Sequence, residues 1–335
     1  MTATTSTSPK VQSRLGAWAH NAPAMIQRRT QPSQTRTEAL TEAQLRYPHE
    51  RLISRISVVV SLTLLVAAVV VISRAPAWLE HRPRIAERLR DLRGLAIAAL
   101  LAPPALVLLR NGRHLRLRAN SVVLSREQIP EIYATLERHC ARLGLPTVPP
   151  LYLSDAGISE PAKAYSAWHT DYIVLGTKQL HVNLEEVADL YDFLLAREVG
   201  RIRMRHTSWL HELLRSYVVK IPILRAPLLR ARVYSADRYG AYLVPNGIRG
   251  LIVLACGRPM LKHVRLAEYL QQVRQPVTFW ARLANVLRDM PLVSQRVRAL
   301  YDAKLFDEQS DLDHFEPAAT SRVPSKRPSA TNVPS

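Results

Sequence analysis

The segment Leu184–His206 reads LEEVADLYDFLLAREVGRIRMRH and determines how we interpret the rest of the chain. Its apolar residues recur every three to four positions, which is the spacing of one face of a helix. Asn183 and Glu186 stand three residues apart just before and inside the segment, in a helix-capping arrangement. Arg197 and Arg201 lie one helical turn apart near its end, with Glu198 beside the first. We therefore predict one long helix that carries a charged pair on an otherwise apolar face.

Around this helix, residues 119–306 are interpreted as one globular domain that is mostly helical. Short strands are predicted at Leu151–Leu153 and Asp171–Leu175, with Gly and Pro between them. Other helices are predicted from the apolar spacing at about 129–143, 226–244, 246–257, 261–274 and 291–305. The fold class predicted for the chain is α+β, mainly helical, with a small sheet.

Two apolar runs precede the domain. The run Ile56–Ser73 has eighteen residues without a charge, close to the ~20 that a helix needs to cross the hydrocarbon core. The run Gly94–Leu109 is shorter and contains Pro103-Pro104, which implies a kinked helix. We predict a transmembrane helical hairpin over 51–118; a buried or interfacial helix is the alternative for the second run.

The remaining parts of the chain are polar. Residues 1–50 are predicted to be a disordered basic tail and residues 307–335 a disordered tail rich in Ser, Pro and Thr. The net charge of +19 favours anionic partners, either a lipid surface or nucleic acid, but it is dispersed and forms no compact run interleaved with aromatics. No specific nucleic acid is therefore expected. The two cysteines exclude a disulfide scaffold.

The charged helix and its flanks resemble the membrane zinc metallopeptidases typified by the CAAX prenyl protease and the heat-shock protease HtpX. Arg197–Arg201 resembles the His-Glu-x-x-His zinc helix in shape. Further segments that resemble the family, in the same order, are Leu143–Leu153, Ala162–Ser166, Tyr172–Gly176, Val233–Ala241 and Met290–Val297. The resemblance covers about residues 50–305. It implies a zincin-like peptidase domain behind a membrane hairpin, in the cell membrane as a multi-pass protein; the Arg distribution around the runs leans toward a cytoplasmic domain.

The chain departs from this pattern at the metal. The resemblance places the two ligand His at Arg197 and Arg201 and the third ligand, a Glu, at Val233. Arg offers no lone pair and Val has no ligating atom, so no zinc is expected there. The general-base position keeps Glu198, a supporting position keeps Asp237, and His206 stands where the family often has a further His.

We accordingly expect a pseudo-peptidase, without peptidase activity and without a cofactor, that has a binding, scaffolding or regulatory role. Its expected partners are the lipid bilayer and a protein or peptide in the former substrate cleft. The alternative is an active membrane zinc metalloendopeptidase with non-standard ligands, for which zinc is the cofactor. A third hypothesis is a basic protein of the membrane surface or of nucleic acid.

Two structural expectations follow. Since a buried Arg needs a carboxylate partner, we predict that Arg197 pairs with Asp237, and Arg201 with Glu198 or another acid. The alternative is a solvated helix end at which both Arg side chains reach water. The strand Tyr172–Leu175 is expected either as a sheet edge that holds extended peptides or as an ordinary core strand.

Overall fold

The structure is a computed structural model that describes residues 42–73, 83–155, 160–167, 170–177, 184–245, 247–261, 263–276, 278–280, 283 and 288–315. The chain is mainly helical with one small mixed sheet, as predicted. The predicted Asn183 cap lies outside the described residues. The α-helices are α1 Glu42–Leu45, α2 Glu50–Ser73, α3 Pro83–Ala119, α4 Pro130–Arg142, α5 Leu184–Arg203, α6 Trp209–Leu213, α7 Pro222–Leu243, α8 Ile248–Cys256, α9 Arg258–Leu261, α10 Leu266–Arg274, α11 Val293–Asp302 and α12 Glu308–Phe315.

The sheet has four strands: β1 Val122–Leu124, β2 Leu151–Ser154, β3 Ala162–Ala167 and β4 Thr170–Gly176. Their order is β1-β2-β4-β3, with β2 and β4 parallel and the outer pairs antiparallel. The segment Tyr172–Leu175 is fully buried in the central strand β4. The expectation of a sheet edge at this segment is wrong, because β2 and β3 occupy both of its sides.

Helices α2 and α3 contain the two apolar runs and pack against each other. Within Glu50–Ser73 and Asp91–Ala119 both are long and apolar enough to cross a membrane. Most of their apolar side chains are exposed, among them Val59, Val66 and Leu101. Pro103 and Pro104 lie inside α3.

The domain holds the beginning of α2 and the end of α3. Glu50, the first residue of α2, is buried and hydrogen-bonded to Ser235 of α7. Near the end of α3, His114 is hydrogen-bonded to Tyr172 of β4 at 2.9 Å. Both ends are therefore on the domain side, which is the arrangement that a hairpin requires.

Parts of both predicted polar tails pack against the domain. Residues 42–50 pack on α7: Tyr47 stacks on Tyr234 with ring centroids 5.0 Å apart, and its backbone N–H donates to Ser235 Oγ at 2.9 Å. At the other end, α12 is helical and its Asp311 is buried, where it accepts a hydrogen bond from Tyr301 at 2.9 Å. Residues 42–50 and α12, which lie within the predicted tails, thus both contribute buried residues to tertiary contacts.

Helix α5 lies at the centre of the fold, between the sheet and helices α7 and α8. It approaches α7 closely where glycine removes a side chain. A Cβ on Gly240 would lie 2.7 Å from Cγ of Arg197 and 2.9 Å from the ring of Phe193. A Cβ on Gly200 would lie 2.5 Å from Cβ of Tyr239. The distance between the two helices therefore depends on these glycines.

Gly240→Ala is expected to destabilise the protein by about 1–3 kcal/mol, because the new methyl overlaps Arg197 and Phe193 in a packed core. Gly112→Ala in α3 is the matched control, since a Cβ there meets no atom within 4 Å. The control should be neutral or stabilising by up to about 1 kcal/mol through helix propensity. Thermal unfolding in detergent measures both, and equal midpoints for the two variants would contradict the close helix contact.

Candidate functional site

Three helices bring charged side chains together in the interior. Arg197 of α5, Asp237 of α7 and Arg296 of α11 are 0%, 0% and 2% exposed. All three are carried on faces that otherwise bury apolar residues, such as Leu194 on α5 and Val233 on α7. We call these residues, together with Arg201, Glu198 and Glu160, the ion cluster.

Asp237 is held from two sides. Its Oδ1 lies 2.7 Å from Nε of Arg197. Nε and Nη2 of Arg296 donate to Oδ2 and Oδ1 at 2.7 and 2.8 Å, a bidentate pair. The predicted pairing of Arg197 with Asp237 is confirmed, and the alternative of a solvated helix end is wrong for Arg197.

The second half of the ion cluster is centred on Arg201. Its Nη1 lies 3.4 Å from Oε2 of Glu198, and its Nη2 lies 3.8 Å from Oε2 of Glu160. Glu160 also lies 3.9 Å from Nη2 of Arg197 and 3.2 Å from Nζ of Lys163. The prediction that Arg201 pairs with Glu198 or another acid is therefore confirmed for both acids. The ion cluster holds three guanidinium groups and three carboxyl groups.

Glu198 is tied into the protein at the position where the resemblance puts a general base. Its Oε2 accepts the backbone N–H of Ala164 in β3 at 2.7 Å. Its other oxygen is buried and makes no hydrogen bond with the described residues. Burial raises the pKa of Glu198, although Arg201 and Arg197 oppose the shift. The carboxyl group thus joins β3 to α5 rather than facing open solvent.

The other two acids titrate in the opposite direction. Burial alone would raise the pKa of Glu160, but Arg201, Arg197 and Lys163 outweigh it and lower the pKa to about 2. Burial likewise opposes ionisation of Asp237, and Arg296 followed by Arg197 holds its pKa below its usual range. Both carboxyl groups are therefore charged at neutral pH and offset the buried guanidinium groups.

Val233 and His206 lie near the ion cluster in sequence, but their side chains are not members of it. Val233 is a buried apolar residue one turn before Asp237 on α7. His206 follows α5, and its Nε2 lies 2.6 Å from Oε1 of Glu50 at the start of α2. The imidazole of His206 therefore connects the domain to the first apolar helix rather than to a side chain of the ion cluster.

The donor atoms that a metal needs do not come together within the described ranges, where no group of three His, Cys, Asp or Glu residues has a metal-binding arrangement. His169 and His181, two further histidines upstream of α5 that could contribute to such a group, lie outside the described residues. The ion cluster itself presents N–H groups that donate and carry positive charge. The three guanidinium groups of the cluster cannot supply lone pairs to a cation, and its three carboxyl groups are each paired with a guanidinium group.

Sequence reasoning missed Arg296 and Glu160 as members of the ion cluster. Arg296 stands in Met290–Val297, the segment that resembles the closing element of the family, and this was its only signal. Glu160 precedes Pro161 and β3, and an acid next to a strand has no distinctive spacing. Arg296 and Glu160 belong to the ion cluster only through contacts between segments that are distant in the sequence.

Asp237→Asn should cost about 3–5 kcal/mol of stability, because it leaves Arg197 and Arg296 buried without a carboxylate between them. Glu268→Gln is the matched control, since it breaks an exposed pair with Arg265 at 3.2 Å and should cost less than about 0.5 kcal/mol. Thermal unfolding of both variants in detergent checks the expectation. An Asn variant as stable as the wild type would show that the ion cluster does not support the fold.

The buried imidazole of His206 predicts a pH effect. Burial lowers its pKa from 6.5 to about 4, despite the hydrogen bond with Glu50. In the unfolded chain His206 is protonated below about pH 6.5, whereas in the folded protein it is protonated only below about pH 4. The free energy of unfolding therefore decreases as the pH falls from 6.5 to 4. Between pH 7 and pH 5 the loss from this group should approach about 2 kcal/mol.

His206→Gln keeps a donor for Glu50 but does not titrate. The difference in unfolding midpoint between wild type and variant should therefore shrink as the pH is lowered from 7 to 5. A difference that is constant over this range would show that His206 has an ordinary pKa.

Comparison of the chain with protein-family models, with curated proteins and with solved structures found no match, so the function has to be inferred from the residues themselves.

Proposed function

We propose that this protein is a membrane-anchored pseudo-peptidase: a zincin-like domain that binds or regulates a protein partner and does not hydrolyse peptides. The observation that carries the proposal is the buried pair of Arg197 with Asp237 at 2.7 Å. The resemblance puts a zinc ligand at Arg197, and this position is filled by a paired guanidinium group.

The catalytic chemistry of zinc metallopeptidases supports the proposal that this site does not hydrolyse peptides. A metallopeptidase uses its metal to lower the pKa of water from ~15.7 to about 7 and to polarise the scissile carbonyl. Guanidinium groups that are already paired with Asp237, Glu160 and Glu198 supply no Lewis acid. Glu198 is also fully buried, and one of its oxygens is engaged by the N–H of Ala164, so the carboxyl group is not exposed to an attacking water.

The anchor in this proposal is the hairpin of α2 and α3, which crosses the cell membrane with the domain on the cytoplasmic side. Exposed apolar side chains along both helices and the attachment of α2 and α3 to one side of the domain support it. The outer ends of the apolar runs carry seven Arg and the loop between them six, a slight difference in favour of the cytoplasmic side.

The proposed partner is a protein or peptide held near the former substrate cleft. Strand β3 is one edge of the sheet and lies against α5. Its Ala164 N–H points away from β4 and is already bonded to Glu198, so a docking strand would have to displace that carboxyl group. Side-chain contacts rather than strand addition at Ala164 are therefore the expected mode of binding.

Zinc per chain, measured by elemental mass spectrometry on the full-length protein in detergent, tests the proposal. The wild type is expected to hold no stoichiometric zinc and to cleave no unfolded protein substrate. The triple variant Arg197→His, Arg201→His, Val233→Glu should hold about one zinc, because it restores the ligand set that the resemblance implies. The control carries the same two His with Val233→Gln and should bind zinc more weakly.

One tightly held zinc in the wild type, with proteolysis that is lost in Glu198→Gln, would overturn the proposal in favour of an active enzyme. A folded triple variant that gains no zinc would instead show that the three positions do not converge as in a zincin-like domain.

A further inference from the structure

A cavity of about 400 Å³ opens where α2 begins, beside the turn that follows α5. We call it the Arg pocket, because its walls include Arg46, Arg51, Arg55, Arg203, Arg205 and Arg215. It is separate from the ion cluster and shares none of its residues. Nothing in the peptidase resemblance accounts for it.

The positive charge of the Arg pocket is mostly uncompensated. Its two carboxylates are engaged: Glu42 pairs with Arg46 at 2.9 Å, and Glu50 is bonded to His206 at 2.6 Å. The other arginines, Arg51, Arg55, Arg203, Arg205 and Arg215, have no carboxylate within 4 Å in the part of the chain that the structure describes. A concave surface with this imbalance attracts anions.

Arg215 is held in the wall of the pocket by burial and hydrogen bonds and is not a mobile surface side chain. It is only 8% exposed. One Nη donates to the carbonyl of His211 at 3.3 Å and the other to Ser54 Oγ of α2, whereas Nε is buried and makes no hydrogen bond with the described residues. A guanidinium group that is buried without a carboxylate partner is costly, and an anion in the pocket would offset its charge.

The backbone conformation of Arg205 is a second indication that the Arg pocket binds a ligand. It lies in the left-handed region with φ 56°, in the turn that ends α5. The bonds His206 N–H to Arg201 O and Arg205 N–H to Ile202 O form the usual glycine-type helix ending. Arg at this position is less favourable than Gly, and non-glycine residues in this region cluster at functional sites. Here the side chain lines the pocket.

The location specifies the ligand. Arg51, Ser54 and Arg55 line the pocket from the first turns of α2, immediately before the uncharged run Ile56–Ser73. If α2 crosses a bilayer, the pocket lies at the depth of the headgroups. The guanidinium fork matches phosphate oxygens in geometry and charge. We propose that the Arg pocket binds the phosphate of an anionic membrane lipid.

The test uses full-length protein in a nonionic detergent and three probes: short-chain phosphatidylglycerol, short-chain phosphatidylcholine and inorganic phosphate. Titration calorimetry should show saturable binding of phosphatidylglycerol, with a dissociation constant at least about tenfold lower than that of phosphatidylcholine. A tenfold difference in dissociation constant requires only a modest difference in binding free energy. Tighter or equal binding of inorganic phosphate would overturn the lipid assignment in favour of a soluble phosphate.

Arg205→Gly separates binding from folding, because glycine relieves the backbone strain while the guanidinium group is lost. We expect an unchanged or higher unfolding midpoint and roughly five- to tenfold weaker binding of phosphatidylglycerol. The double variant Arg51→Gln, Arg55→Gln should weaken binding further. Arg138→Gln, which removes an exposed charge on α4 away from the pocket, should leave binding unchanged.

Equal affinity in wild type, Arg205→Gly and the double variant would overturn the proposal, as would the absence of any preference between the two lipids. A loss in Arg138→Gln as large as that in Arg205→Gly would show that binding follows the overall charge of the protein and not the pocket.

Discussion

The carboxylate of Asp237 lies between the guanidinium groups of Arg197 and Arg296, and the packing of the domain depends on it. Each of the three residues comes from a different helix, so the charges can be buried only when α5, α7 and α11 are all in place. Burial of a charge without its partner costs far more than the pair gains. The ion cluster therefore specifies one arrangement of the three helices and excludes looser ones.

The same constraint explains why the helix contact is so close. Arg197 is long, and its aliphatic part occupies the space above Gly240, where any side chain would collide with it. Glu198, the next residue, turns toward the sheet and accepts the N–H of Ala164. Adjacent residues of α5 thus connect the helical and the sheet parts of the domain through charge on one side and a backbone hydrogen bond on the other.

Local periodicity was enough to predict α5, α7, α8, α10 and α11 to within a few residues, and the apolar face interrupted by Arg197 was enough to predict a buried carboxylate partner. Glu160 and Arg296 could not be predicted, because the partner of a charge from a distant segment leaves no local pattern. The central position of β4 had a signal: Tyr172–Leu175 is continuously apolar, which is typical of a strand covered on both faces. Residues 42–50 were assigned to a tail because only a few of them, such as Leu45, Tyr47 and Glu50, make tertiary contacts, too few to give a period.

Helix α3 has 37 residues and is therefore about 55 Å long at 1.5 Å per residue, well beyond the ~30 Å of a hydrocarbon core. Its last turns are fastened to the domain: Arg110 pairs with Glu212, and the guanidinium group of Arg118 lies 5.5 Å from the ring centroids of Tyr152 and Tyr172. No loop separates the apolar part of the helix from these contacts, because both belong to one continuous helix. The sheet therefore cannot turn relative to the end of α3 without breaking these contacts.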